Sequence, residues 1–254
     1  MHRLPFQSFA ENSFDLVIIG GGITGAALAH QAAAQHLKVA LFEMNDFGSA
    51  TSSATSKLIH GGLRYLKNRE FGLVRESLRE RRILGTIAPN LVEPLHFIIP
   101  GHKQSRSSQL ALKAGMILYD LLSYDKRSVP DLKNRLAAHR SCSAREILEV
   151  APMLREEALA RGVSFYDYAN INPDRMTWAF LKTAVDNGAK IANYARVVQL
   201  DRHGNRILGV QVVDQFTGQS HTVRGSCVVN CTGAWANEVL QLGSSQRPQR
   251  RTRS

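Results

Sequence analysis

The period of the apolar positions changes several times along the chain, and each change marks an element. Residues 16–19, Leu-Val-Ile-Ile, form a continuous apolar run, which predicts a short parallel strand buried on both faces. Gly20, Gly22 and Gly25 follow, and then Ala26, Ala27, Leu28 and Ala29 predict a helix of small side chains. Residues 38–42 read as a second strand that ends at Glu43. Residues 48–56 are small and rich in hydroxyls, hence a loop, and residues 58–66 turn apolar again around Gly61 and Gly62.

Further along, residues 97–100 predict a short strand, and residues 101–160 are rich in helix formers with a charged hinge at 125–130. Ser143-Ala-Arg-Glu146 has the spacing of a capping box. Residues 165–168 suggest an edge strand, and 176–187 an amphipathic helix that stops at Gly188. Residues 190–201, 207–214 and 221–223 then read as a small antiparallel meander, and 226–230 as a last strand leading into Cys231-Thr232-Gly233. The domain organisation expected is a leader over 1–13, a nucleotide-binding part over 14–100, a helical excursion over 101–164, a returning segment over 165–242 and a disordered basic tail over 243–254.

Composition narrows the class. The chain has 254 residues and is 44% hydrophobic, which suits a globular body. Its net charge is +11, with Arg247, Arg250, Arg251 and Arg253 at the extreme C-terminus. Arg75, Arg79, Arg81 and Arg82 alternate with Glu76 and Glu80 at helical spacing, which predicts a solvated face laced with i,i+4 pairs. No zinc-finger, RNP or helix-turn-helix pattern accompanies the charge, so no nucleic-acid partner is expected. An anionic substrate or membrane surface explains the charge equally well.

Cys142, Cys227 and Cys231 make no disulfide framework, which leaves a reducing cytoplasm as the default compartment. Cys227 and Cys231 share a strand face and are expected to be buried small hydrophobes, and the histidines lack metal-ligand spacing, so no metal is expected. No run reaches the roughly eighteen apolar residues that span a bilayer. Residues 110–124 are the most membrane-like stretch, readable as a core helix or as an interfacial one.

The chemistry concentrates at the start. Gly20, Gly22 and Gly25 stand at GxGxxG spacing between a strand and a helix: the first makes the tight turn, the second admits a pyrophosphate and the third lets helix and strand pack closely. The helix N-terminus presents free N–H groups to that diphosphate. Glu43 ends the second strand 18 positions after Gly25, where an acid accepts hydrogen bonds from ribose hydroxyls and repels a 2′-phosphate. These residues predict a dinucleotide without separating FAD from NAD. The hydroxyl loop suits phosphate or flavin contacts and suits a solvated connector about equally. Arg64 can clamp a phosphate or carboxylate, or make an ordinary surface salt bridge.

The run Ser52-Ser-Ala-Thr-Ser-Lys57-Leu-Ile-His60-Gly-Gly-Leu-Arg64-Tyr65-Leu resembles the segment after the second strand in FAD-dependent glycerol-3-phosphate dehydrogenases. The likeness continues through Glu70-Phe71, Val74-Arg75-Glu76-Ser77-Leu78, Ala88-Pro89, Pro94, Tyr119-Asp120, Phe165-Tyr166-Asp167, Asp174-Arg175 and the block from Val228 to Trp235. It implies an α/β fold: a doubly wound, FAD-binding, Rossmann-like domain with part of a mixed-sheet substrate or cap region. It also implies FAD as cofactor, with Gly20, Gly22 and Gly25 at the diphosphate, Glu43 at the ribose and Val197 in the adenine-contacting strand. Thr51, Ser52, Ser53, Ser56, Lys57 and Leu58 are implied near the flavin, with Thr232 and Gly233 in a second flavin fingerprint.

For substrate, the resemblance implies oxidation of sn-glycerol 3-phosphate to dihydroxyacetone phosphate, with electrons passed to a quinone at the inner face of the cytoplasmic membrane. Arg64 is implied to hold the phosphate with Tyr65 beside it, and His60 is either a catalytic group near the flavin or a histidine that packs the loop. After Leu242 the text becomes Gly-Ser-Ser-Gln-Arg-Pro-Gln-Arg-Arg-Thr-Arg-Ser, where family members continue for about as much chain again. The expectation is therefore a chain truncated at its C-terminus, with flavin affinity and turnover impaired. Two rivals stand beside it: an FAD-dependent amine oxidase of the same fold, and a non-catalytic fragment.

Overall fold

A computed structural model describes residues 4–103 and 106–243. The expected basic tail therefore lies outside the described residues, apart from Gly243. The chain divides into two compact units, with one boundary after Thr55 and the other before Pro173.

In chain order, the first unit opens with α1 (Gln7–Ala10), β1 (Ser13–Ile19), α2 (Ile23–Ala34) and β2 (Val39–Phe42). The second unit comprises β3 (Leu58–Ile59), α3 (Leu63–Lys67), α4 (Phe71–Ile87), β4 (Val92–His102), α5 (Arg106–Leu122), β5 (Arg140–Cys142), α6 (Ala144–Val150) and β6 (Leu159–Asn170). The chain then returns to the first unit with α7 (Pro173–Asp186), β7 (Lys190–Ala192), β8 (Ala195–His203), β9 (Arg206–Asp214), β10 (Ser220–Asn230) and α8 (Ala236–Gln241).

Among the described residues, six strands of the first unit form one sheet in the order β7-β2-β1-β10-β9-β8. β1 is parallel to both β2 and β10, with Leu16 opposite Val39 on one side and Cys227 on the other. Alternation along β1 explains its continuous apolar text. Leu16 and Ile18 face Ala26, Ala29 and Leu181 of α2 and α7, whereas Val17 and Ile19 face Phe6, Phe9, Val210 and Val212. Burial on both faces is what a parallel strand requires. The alanines of α2 let it lie close to the sheet, and Gly188 at φ +91° turns the chain out of α7.

The meander and the last strand, read separately in the sequence, share one strand. β10 pairs antiparallel with β9 over Ser220–Arg224 and parallel with β1 from Arg224 onward, so the hairpin arm runs directly into the sheet centre. Cys227 is exposed on it, against the expectation of a buried cysteine, while Cys231 packs into the α2 side of the core.

Among the described residues of the second unit, four strands form a sheet in which β6 is the inner strand. It pairs with β4 along its length on one side and with β3 and β5 on the other. Residues 165–168 are thus central, not at an edge: the partners come from chain segments far away in sequence, which local alternation does not reveal. α4 and α5 cover this sheet through Val74, Leu78, Met116 and Tyr119, packed on Val163 and Phe165. The capping box forms as predicted, with Ser143 Oγ accepting the Glu146 N–H and the Glu146 carboxylate accepting the Ser143 N–H.

The arginine cluster on α4 departs from its expected role. Arg81 is 2% exposed and pairs with Asp167, while Arg75 and Arg82 both reach Asp125 at 2.9 Å. These partners lie outside α4, so Arg75, Arg81 and Arg82 tie the helix to the body of the unit, whereas Glu76, Arg79 and Glu80 are exposed as a solvated face would be.

Candidate functional site

At the carboxyl end of β1 the first unit encloses a cavity of about 900 Å³. Three chain turns build it. The first is the glycine turn, with Gly20, Gly22, Ile23 and Thr24 at the wall. Gly20 has φ +106°, and a Cβ there would stand 2.7 Å from the Cys231 carbonyl oxygen. A methyl on Gly25 would collide with the Gly20 carbonyl, so the third glycine lies behind the turn and sets the approach of α2 to β1. At Gly22 a Cβ would leave 3.1 Å to Ser52 Oγ. The turn fits only a backbone that lacks side chains, which is the cradle a diphosphate needs.

The second turn follows β2. Glu43 lines the cavity; its N–H donates to the Ala192 carbonyl and its own carbonyl accepts from the Ala195 N–H. Its carboxylate accepts the Gly21 N–H at 2.7 Å and the Asn45 N–H at 2.8 Å. A carboxylate has roughly four acceptor sites, so two remain for ribose hydroxyls. Thr51 and Ser52 also line the wall, and Ser52 Oγ accepts the Ile23 N–H at 2.8 Å at the start of α2. Ser53 stands aside: its hydroxyl donates to the Ala50 carbonyl at 2.8 Å, within the loop itself.

The third wall comes from β8 and from the turn after β10. Val197 lines it together with Ala195, Arg196 and Val198, and Thr232 and Gly233 close it with Trp235 and Glu238. Asn230 shapes this last turn. Its Oδ1 accepts from the Thr232 hydroxyl at 2.6 Å and from the Thr232 N–H at 3.2 Å, and its Nδ2 donates to the Ala236 carbonyl at 2.9 Å. An asparagine two residues before Thr232 is a local turn signal, and it marks a site residue that the sequence reading passed over. Arg196, Trp235 and Glu238 were also missed, and nothing local distinguishes them.

Gly20, Gly22, Glu43, Thr51, Ser52, Val197, Thr232 and Gly233 therefore meet in one cavity, with Gly25 behind it. The remaining candidates, Ser56, Lys57, Leu58, His60, Arg64 and Tyr65, belong to the second unit. There Lys57 takes φ +57° and its carbonyl accepts the Asn170 N–H at 2.7 Å, while Leu58 pairs with Ala169 in β3. His60 is exposed, and its Nδ1 accepts the Gly62 N–H at 3.0 Å. A neutral ring held that way carries its proton on Nε2, so it offers a donor outward. Gly62 at φ +70° starts α3, and a Cβ there would collide with the Tyr65 ring. Arg64 and Tyr65 are exposed on the first turn of that helix.

Beneath this segment lies a buried polar group that no local pattern announced. Tyr119 Oη accepts the Gly61 N–H at 3.0 Å and donates to Asp167, whose oxygens stand at 2.9 and 3.1 Å. Burial and then the negative charge of Asp167 push the phenol pKa well above its ordinary value, so it stays protonated. Burial likewise pushes the Cys231 thiol up. Among the described residues, no group of three or more His, Cys, Asp or Glu side chains is placed to hold a metal, and no helix is long and apolar enough to cross a membrane.

Comparison with known proteins agrees with this geometry. The chain is 42% identical over 243 residues to glycerol-3-phosphate dehydrogenase of Mycobacterium leprae, which covers 95% of this chain and 40% of that protein. It is 37% identical over 250 residues to alpha-glycerophosphate oxidase of Streptococcus pyogenes, covering 97% of this chain and 39% of that one. The chain thus spans about 40% of the length of the curated relatives it matches. The crystal structure of glycerol-3-phosphate dehydrogenase from Bacillus halodurans complexed with FAD superposes with a TM-score of 0.65 at 28% identity, over 90% of this chain and 36% of that one. Residues 15–254 match the family described as DAO, FAD dependent oxidoreductase. A match over nearly the whole chain, on a fold whose glycine turn opens into a dinucleotide-sized cavity, means that the chain belongs to the FAD dependent oxidoreductase family.

Proposed function

We propose that the chain binds FAD in the cavity at the β1–α2 turn and acts in the oxidation of sn-glycerol 3-phosphate to dihydroxyacetone phosphate. The observation that carries this reading is the fit of that cavity to a dinucleotide, in a chain whose relatives at 42% and 37% identity are named for glycerol 3-phosphate chemistry. When bound, FAD supplies a two-electron acceptor for the hydride on carbon 2 of the polyol.

The chain's own residues do the rest. Ile23 N–H is taken by Ser52 Oγ, so the N–H groups that follow it in the first turn of α2, with the helix's positive dipole end, receive the diphosphate over a turn that Gly20 and Gly22 keep free of side chains. Glu43 takes the ribose hydroxyls and rejects a 2′-phosphate by charge. Arg64 offers a planar fork that matches two phosphate oxygens, and Tyr65 flanks it. His60, whose Nδ1 is occupied by the Gly62 N–H, keeps Nε2 as the ring nitrogen able to donate to a substrate oxygen beside Arg64.

The electron acceptor we propose is a quinone at a membrane surface. On α5, Leu110 is 72% exposed and Leu121 66%, with Ile117 between them on the same helical face, and this supports peripheral contact with lipid. Co-sedimentation with anionic vesicles tests that part on its own, and a chain left in the supernatant contradicts it.

The test of the reaction is product formation. Purified chain, supplied with FAD, sn-glycerol 3-phosphate and an artificial electron acceptor, should yield dihydroxyacetone phosphate. A chain that takes up FAD and consumes an amine instead favours the amine-oxidase reading; one that takes up no FAD contradicts the proposal.

A further inference from the structure

The loop between β3 and α3 is gripped at one backbone atom. Gly61 is buried, and its N–H finds its acceptor in Tyr119 Oη at 3.0 Å. A methyl on Gly61 would collide with Leu78 and with the same hydroxyl, so the peptide has no slack against the helices beneath it. Tyr119 is itself only 2% exposed.

The hydroxyl has a defined polarity. Asp167 is a pure acceptor and Arg81 a pure donor, and the two are paired. Arg81 Nη1 also stands 3.4 Å from Tyr119 Oη and 3.5 Å from the Tyr166 carbonyl. With Asp167 accepting the phenol O–H, the hydroxyl keeps a lone pair for the Gly61 N–H. The three side chains come from α4, α5 and β6, so the covering helices and the sheet all converge on this one peptide.

We propose that Tyr119, held by Asp167 and Arg81, is a positioning residue that fixes the segment from His60 to Arg64 and thereby sets affinity for a phosphorylated polyol. One residue beyond the gripped amide, Gly62 takes φ +70° and donates its N–H to His60 Nδ1, so the grip also selects the ring tautomer. Two residues further on is Arg64, on the first turn of α3. The affinity step rests on the function proposed above; the grip on the loop does not.

Tyr119→Phe removes only the hydroxyl, and Tyr168→Phe is its control. Tyr168 is also buried in the second unit, but its hydroxyl bonds the Asn134 carbonyl, away from the loop. In nitrogen-15-labelled chain, Tyr119→Phe should speed hydrogen exchange at the Gly61 amide about tenfold and move the His60 ring nitrogens off a single-tautomer pattern. Its Kd for sn-glycerol 3-phosphate should rise about tenfold. Tyr168→Phe should change none of the three. Unchanged exchange and ring shifts in Tyr119→Phe, or equal changes in both variants, overturn the proposal.

If the unaltered chain shows no affinity for glycerol 3-phosphate, the functional reading fails, while exchange and tautomer still judge the grip. Should Tyr119→Phe not fold, the unaltered chain decides: its Gly61 amide must exchange as slowly as the core amides of β6. Exchange as fast as that of exposed loops overturns the proposal.

Discussion

Glu43 Oε2 accepts the N–H of Gly21 at 2.7 Å, linking the acid at the end of β2 to the middle of the glycine turn. With Asn45 on its other oxygen, the carboxylate fixes the shape of the cradle through its own contacts, in addition to any bond to a ribose. Charge-assisted bonds of this kind contribute about 1.5–3 kcal/mol each. Glu43→Ala should therefore weaken FAD binding by roughly ten- to a hundredfold. Titration of the flavin fluorescence measures this, and an unchanged affinity would show that the acid neither shapes nor fills the site.

Glycines of the same chain should respond oppositely to alanine. Gly25→Ala places a methyl on the Gly20 carbonyl and should cost about 3 kcal/mol, seen as a lower Tm. Gly115 lies inside α5, where a Cβ meets nothing within 4 Å. Gly115→Ala should stabilise by up to about 1 kcal/mol through helix propensity alone. Equal effects at the two positions would contradict the packing described for the turn.

The Arg81–Asp167 pair is a buried charge pair, and losing one member leaves the other without compensation. Either Arg81→Met or Asp167→Leu should destabilise by about 3–5 kcal/mol, and the double variant should lose much less than the sum. Denaturant unfolding of the four species gives the coupling. Additive losses would mean that the two side chains act independently.

Glu146 provides a pH test. Its N-terminal cap, through the Ser143 N–H first and then Arg140, holds its pKa at about 2 against an ordinary value of 4.5. Because the folded value is the lower one, the cap's stabilisation is present above about pH 4.5 and is lost as the pH falls toward 2. A carboxyl NMR titration should place the midpoint near 2, and Arg140→Ala should raise it. A midpoint near 4.5 in the unaltered chain would mean that the cap is not formed in solution.

What could be read from the text follows from how local each interaction is. Gly20, Gly22, Gly25 and Glu43 declare themselves because turn, helix start and strand end lie within thirty residues and each demands a particular residue type. The Ser143–Glu146 cap is legible for the same reason. Arg81 was not: it lies among acids at helical spacing, yet its partner Asp167 is 86 residues away on the inner strand of a sheet. Nor did the alternation of residues 165–168 reveal that β6 has neighbours on both sides, since those neighbours are set by pairing across the chain. Tyr119-Asp120 belongs to the family likeness, but nothing beside it in sequence points to Asp167, 48 residues away, or to Gly61, so its role appears only when α5 lies over Gly61.

The central claim is that this chain carries FAD and meets a phosphorylated polyol. Anaerobic addition of sn-glycerol 3-phosphate to the flavin-loaded chain tests both at once, with Arg64→Ala measured alongside. Bleaching of the flavin band by glycerol 3-phosphate but not by glycerol, and strongly weakened in Arg64→Ala, is the predicted result. A flavin band that glycerol 3-phosphate leaves untouched, or that glycerol bleaches equally well, would contradict it.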